Sequence, residues 1–230
     1  MNILSLQKIC MEISKIKQQL VDELPYYGNQ ALYFQNNEIT AVLIDNKIEI
    51  KIHLSTGQLL YFDNEVGYFV NLLHDNISEN LISITEKSGL KGPEVKLENL
   101  DFEEIPSFLD YAVCATTLLE LFRMGLKNNF TLVHLWPHHF DFSLEWFTGN
   151  ADEQIGIGIS PGDESSPEPY LYMNPYPFNG HVTKNPLPMG VWNTSEWNGV
   201  KIDWNVLVKC STTNTVYKLH NVFEIVQKNF

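Results

Sequence analysis

The segment KIEIKIHL, residues 47–54, alternates apolar and polar side chains without a break. Ile48, Ile50, Ile52 and Leu54 fall on one side. Lys47, Glu49, Lys51 and His53 fall on the other. Only an extended chain with one face buried satisfies that period. STGQ follows as a turn and LLYF returns as a second strand, so the spacing predicts a hairpin over 47–62. ITAVLID, residues 39–45, is a third predicted strand. His53 lies on the polar face and reads as a solvated histidine.

Elsewhere the apolar period changes to that of a helix. Ile3, Leu6, Ile9, Ile13, Ile16 and Leu20 recur at three- and four-residue steps, predicting a helix over 3–24 that Pro25 stops. Helices are expected at 64–75, capped by Asp63 or Asn64, and at 78–87. A long helix over about 106–126 is built on Phe108, Tyr111, Ala112, Ala115, Leu118, Leu119 and Phe122. Strands follow at 130–136, 140–148 and 153–159, then YLYMN and GVKIDW, and the chain closes with an amphipathic helix over 216–230. Hairpin-length links dominate and no βαβ alternation runs through the chain. The expected class is α+β: a mostly antiparallel sheet flanked by helices, with two helix–strands–helix halves that resemble one another in order. Residues 1–230 are expected to form one compact unit, with sub-sections 1–88 and 106–230 joined by the acidic stretch 89–105.

Charge narrows the partners. The chain carries 28 acidic against 15 basic residues, a net charge of -13. Such a surface repels phosphate backbones and anionic headgroups, so neither nucleic acid nor a membrane is expected as a partner. No apolar run is expected to reach membrane-spanning length. Cys10, Cys114 and Cys210 are widely spaced, which points to free buried thiols in a reducing, cytoplasmic setting rather than to a zinc knot. The N-terminus lacks the pattern of a signal peptide.

The densest chemistry lies in LVHLWPHHFDF, residues 132–142. On an extended chain His139, Asp141, Ser143 and Glu145 share one side, while His134, Trp136 and His138 share the other; Pro137 is expected to break the ladder between them. Three uses compete. His138, His139 and Asp141 can hold a divalent metal, although no motif such as HExxH supports it. His134 with Asp141 or Glu153 can act as an acid–base pair. Or each group serves its own local fold. Downstream, Gly156 and Gly158 leave gaps on one strand face where a ligand can approach. Glu168, Tyr170 and Tyr172 alternate along a short strand.

These stretches resemble a family of uncharacterised bacterial proteins that share a domain of unknown function. VHLWPHHFD, EQIGIGISPG and EPYLYMNPYP correspond to the family's His-aromatic-Trp-x-x-Phe-Asp, Pro-Gly and Tyr-x-x-Pro-x-Pro segments. His134, Phe140, Asp141, Glu153, Gly158, Pro161, Gly162, Tyr172 and Pro175 match in order. The chain departs from the pattern at Pro137, His138, His139 and Ser160, which favours His134, Asp141 and Glu153 as the catalytic candidates. The resemblance brings no activity with it.

The expected site is therefore a cleft between the segments 134–146, 153–162 and 168–178. Trp136, Tyr170, Tyr172 and Trp192 are its walls; His134, Asp141, Glu153 and Glu168 are its polar groups. Binding of a small molecule is the leading expectation. The alternatives are an enzyme using histidine–carboxylate or metal-assisted chemistry, and an interaction module that assembles as a homo-oligomer through an aromatic patch.

Overall fold

The computed structural model describes residues 3–42, 48–64, 66–126, 129–150, 152–209 and 211–230. Lys47, the end of the predicted strand over 39–45, and Cys210 lie outside them.

Two compact units divide the chain: Met1–Val113 with His134–Phe140, and Cys114–Val133 with Asp141–Phe230. The boundary falls inside a helix, between Val113 and Cys114, and not in the acidic stretch 89–105.

The first unit opens with α1, Leu4–Gln18. Ile9, Cys10, Ile13 and Ile16 are buried along its inner face. It ends six residues before the expected stop. The amides of Gln19 and Leu20 close onto Ile16 and Lys17, and Leu20 turns outward. Pro25 forces Leu24 into an extended conformation, so no helix can continue through it. Then come β1 (Tyr33–Gln35), β2 (Glu38–Val42), β3 (Ile48–His53), β4 (Gln58–Asp63) and β5 (Val66–Asn71). They pair in sequence order as one antiparallel sheet. The predicted hairpin is present with Ile50 opposite Tyr61 and Ile52 opposite Leu59, all four fully buried.

β5 corrects the helix expected over 64–75. Asn64 adopts a left-handed φ of 55° and makes a turn where a helix cap was expected. The β-branched and aromatic residues of VGYFV then return along β4, with Val70 opposite Leu59. Helix α2, Ile77–Lys87, follows, and the side chain of Asn76 accepts from the Glu79 amide.

Helix α3, Ile105–Met124, carries the chain from one unit into the other. By length and composition it is long and apolar enough to cross a membrane, which corrects the expectation that no such segment exists. Within the protein its Phe108, Ala112, Ala115, Leu119 and Phe122 are buried. In the first unit the ring of Phe108 stacks on Phe140 at 5.2 Å. In the second, Phe122 lies 4.9 Å from the ring of His220.

The short strand β6, His134–Trp136, belongs to the first unit, where Leu135 exchanges two backbone hydrogen bonds with Leu32. The second unit contains β7 (Asp141–Phe147), β8 (Gln154–Ser160), β9 (Tyr170–Tyr176), β10 (Val191–Asn193) and β11 (Gly199–Asp203). Their antiparallel pairings run β10-β11-β9-β8-β7. Two helices close the chain: α4, Trp204–Val208, and α5, Thr212–Val226. The architecture is thus α+β, built on antiparallel sheets. Cys10 is fully buried, but Cys114 is exposed on α3, contrary to the expectation of buried thiols.

Candidate functional site

Strict alternation sorts the second unit's sheet into two chemically distinct faces. Phe142, Leu144, Ile155, Ile157, Ile159, Leu171, Met173, Val200 and Ile202 point one way and are all buried. The other face is polar. One row across it reads Ser143, Gly158, Tyr172, Lys201; the next reads Glu145, Gly156, Asn174. A half-buried strand with polar residues at every second position would normally hand them to water. Here Asp141 and Ser143 are buried.

The two glycines of β8 make that possible. A Cβ on Gly158 would stand 2.3 Å from the Tyr172 hydroxyl and 2.7 Å from Ser143 Cβ. A Cβ on Gly156 would stand 3.2 Å from Glu145 Oε1. The gaps expected on this strand are therefore filled from its neighbours. Tyr172 reaches across Gly158 from β9, and its hydroxyl donates a short hydrogen bond to Asp141 Oδ2 on β7. The Glu145 carboxyl lies over Gly156. Its Oε2 is buried and has no hydrogen-bond partner.

Burial, and then the charge of Asp141, push the Glu145 carboxyl up to about 7. Burial and the same charge hold the Tyr172 hydroxyl well above the usual tyrosine range. Two carboxyls on one low-dielectric face resist ionising together, so a proton resides on or leaves Glu145 near neutral pH.

Aromatic rings border this cluster. Trp197 stacks on Tyr170 with ring centroids 6.4 Å apart and meets Tyr172 edge-on at 6.3 Å. Lys201 Nζ sits 4.8 Å from the centre of the Tyr170 ring and donates to Ser166 Oγ. The Tyr170 hydroxyl donates to Asp163 Oδ2 at 2.6 Å, and Asp163 Oδ1 accepts from the amides of Ser165 and Ser166. That carboxylate ties the Pro-Gly loop down beside the rings.

Of the residues expected as catalytic, polar, wall or metal-binding groups of the cleft, Asp141, Tyr170 and Tyr172 meet here, and the rest do not. His134 belongs to the other unit, edge-on to the rings of Tyr33 at 5.1 Å and Trp136 at 5.7 Å. Burial and the nearby Lys17 charge lower its pKa to about 4, so it stays neutral at physiological pH. Trp136 lies beside it on β6. His138 and His139 are exposed in the turn that the Phe140 amide closes onto the Trp136 carbonyl. Glu153 serves the β7–β8 turn: its Oε2 accepts from Thr148 Oγ1 and Asn150 Nδ2, each at 2.8 Å, and these bonds hold it below its ordinary pKa. Glu168 is exposed and precedes the first residue of β9. Trp192 pairs in register with Val200 and so lies on the apolar side, its Nε1 bonded to the Asn185 carbonyl at 3.0 Å.

Sequence reasoning missed Trp197 and the buried, unbonded Oε2 of Glu145. Glu145 was legible as sharing a face with Asp141, but Trp197 lies outside any strand and carries no periodic signal. Among the described residues no three His, Cys, Asp or Glu side chains come together as a set able to hold a metal ion, so His138, His139 and Asp141 are not gathered as ligands.

Comparison with family models, with curated proteins and with solved structures finds no match to this chain.

Proposed function

We propose that the second unit binds a small molecule on the polar face of its sheet, against Trp197 and Tyr170, with Glu145 as the anchoring hydrogen-bond group. The observation that carries this reading is Glu145 Oε2, a buried carboxyl oxygen without a partner. Leaving such an atom unbonded costs about 1–3 kcal/mol, a cost that a ligand donor removes. Near neutral pH the same carboxyl exchanges between acceptor and donor, which suits an amide, hydroxyl or amine. Aromatic rings beside a few convergent polar groups are the usual lining of small-molecule sites.

A thermal-shift screen of the full chain against a metabolite library tests this. A hit is expected to raise the melting temperature of the wild type and to lose that effect in Glu145→Gln and in Trp197→Ala. Folded protein with no hit at high ligand excess overturns the reading.

The raised pKa of Glu145 favours a second reading, in which the bound molecule undergoes proton transfer. Catalytic acids and bases work best with a pKa close to the operating pH. In that case Glu145 takes the role that the sequence assigns to His134, and turnover follows a pH profile with a limb near 7 that Glu145→Gln removes.

A further inference from the structure

The first unit contains a separate cleft that the reading above does not use. It has a volume of about 490 Å³ and lies between the C-terminal end of α1 and the loop that follows. Sites for small ligands occupy roughly 300–1,000 Å³. Gln18, Asp22, Glu23, Tyr27, Asn29 and Gln30 line it.

Its floor is held in place. Lys17 Nζ, buried beneath the loop, donates to the carbonyls of Ala31 at 2.6 Å and Gly28 at 3.3 Å. Ser14 Oγ donates to the Gln30 carbonyl at 2.7 Å. Asn29 sits between these anchors and is only 8% exposed. Its Oδ1 is buried with no hydrogen-bond partner. A side-chain amide in that position normally finds partners within the protein. At the rim Tyr27 is 63% exposed and is held at a left-handed φ of 57°, as is Tyr26 at 56°. Consecutive non-glycine residues in that region are strained, and such strain gathers at ligand clamps.

We propose that this cleft binds a neutral polyhydroxylated ligand, a saccharide or polyol, with Tyr27 as the stacking ring and Asn29, Gln18 and the Asp22 and Glu23 carboxylates as hydroxyl partners. The lining selects for that class. Each hydroxyl both donates and accepts, and side-chain amides and carboxylates offer the complement of both. Anions are disfavoured, because the lining carries the Asp22 and Glu23 carboxylates, while the Lys17 ammonium beneath is taken up by the Ala31 and Gly28 carbonyls. Apolar ligands would strand the Asn29 amide. An exposed aromatic ring covers the apolar face of a sugar.

Saccharide binding to the full chain is read by saturation-transfer NMR and calorimetry. The probes are glucose, N-acetylglucosamine, sorbitol and a short glucan, which separate a cyclic from a linear polyol and a free sugar from a chain end. At least one is expected to bind, with an affinity that changes little with salt. Tyr27→Ala and Gln18→Ala alter exposed positions and leave the fold intact; each is expected to weaken binding about tenfold. Asn29→Ala is expected to weaken it further. Absence of binding by all four probes overturns the proposal, as does binding that Tyr27→Ala and Gln18→Ala leave unchanged. So does salt-sensitive binding of spermidine in preference to the sugars, which would make the cleft a polyamine site.

Discussion

Glu145 lies over Gly156: a Cβ on that glycine would stand 3.2 Å from the carboxyl's Oε1 and 3.3 Å from its Oε2. Gly158, two residues on, is tighter: a Cβ there would stand 2.3 Å from the Tyr172 hydroxyl and 2.7 Å from Ser143 Cβ. In a strand, replacing glycine by alanine ordinarily stabilises by roughly 0.5–1 kcal/mol. At Gly156 the carboxyl can yield by a few tenths of an ångström, so Gly156→Ala is expected to be close to neutral. At Gly158 the tyrosine must leave its place, and Gly158→Ala is expected to destabilise by about 1–3 kcal/mol. Chemical denaturation of both variants checks the ordering; equal effects would mean that Tyr172 does not rely on the gap.

The Glu145 carboxyl also sets a pH dependence. Its ordinary value is 4.5 and its folded value about 7. Below 4.5 it is protonated in both folded and unfolded chains. As pH rises from 4.5 to 7 the unfolded chain loses this proton first, so stability falls across that window and then levels off. The loss is at most about 3 kcal/mol. Subtracting the stability profile of Glu145→Gln from that of the wild type isolates the contribution. A flat difference between pH 4.5 and 7 would show that the carboxyl is not desolvated in the folded protein.

Where a face of a strand is simply buried or not, the sequence is a sufficient guide. KIEIKIHL and QIGIGIS declare their period, and the antiparallel α+β class follows from hairpin-length links. A strand stands where a helix is expected at β5 because Val66–Asn71 satisfies both periods over so short a run, and the choice between them rests on the turn at Asn64. The candidate site was half legible. Asp141, Ser143 and Glu145 share a side by alternation alone, and Gly156 and Gly158 mark a place where something approaches. What approaches depends on the register of β7, β8 and β9, which no single strand encodes. The same dependence on register separates Trp192 from Tyr170 and Tyr172: its pairing with Val200 turns it to the apolar side. The histidines misled because their density carries no information about which compact unit each joins.

Lys17 and His134 are coupled within the first unit. Burial is the larger cause of the depressed His134 pKa, and the Lys17 charge is the smaller. In Lys17→Met the His134 ring is therefore expected to titrate above its wild-type value of about 4 while remaining below 6.5, as followed by NMR of the ring protons. The same substitution takes the Lys17 donor from the buried Ala31 carbonyl, at a cost of about 1–3 kcal/mol, while the Gly28 carbonyl keeps the Ala31 amide. A His134 titration unchanged by the substitution would exclude the charge coupling.

Tyr172 and Asp141 give the last expectation. Their hydrogen bond joins β9 to β7 over the intervening strand, and its acceptor is a buried carboxyl whose charge bears on Glu145. Hydrogen bonds to charged groups contribute about 1.5–3 kcal/mol. Tyr172→Phe keeps the ring that meets Trp197 and removes only the donor, so it is expected to destabilise by that amount. The charge of Asp141 is the smaller cause of the raised Glu145 pKa and burial the larger. In Asp141→Asn the Glu145 carboxyl is therefore expected to titrate below 7 while remaining above 4.5, as followed by NMR of the side-chain carboxyl. A Glu145 titration that stays at its wild-type position in Asp141→Asn would show that burial alone raises it.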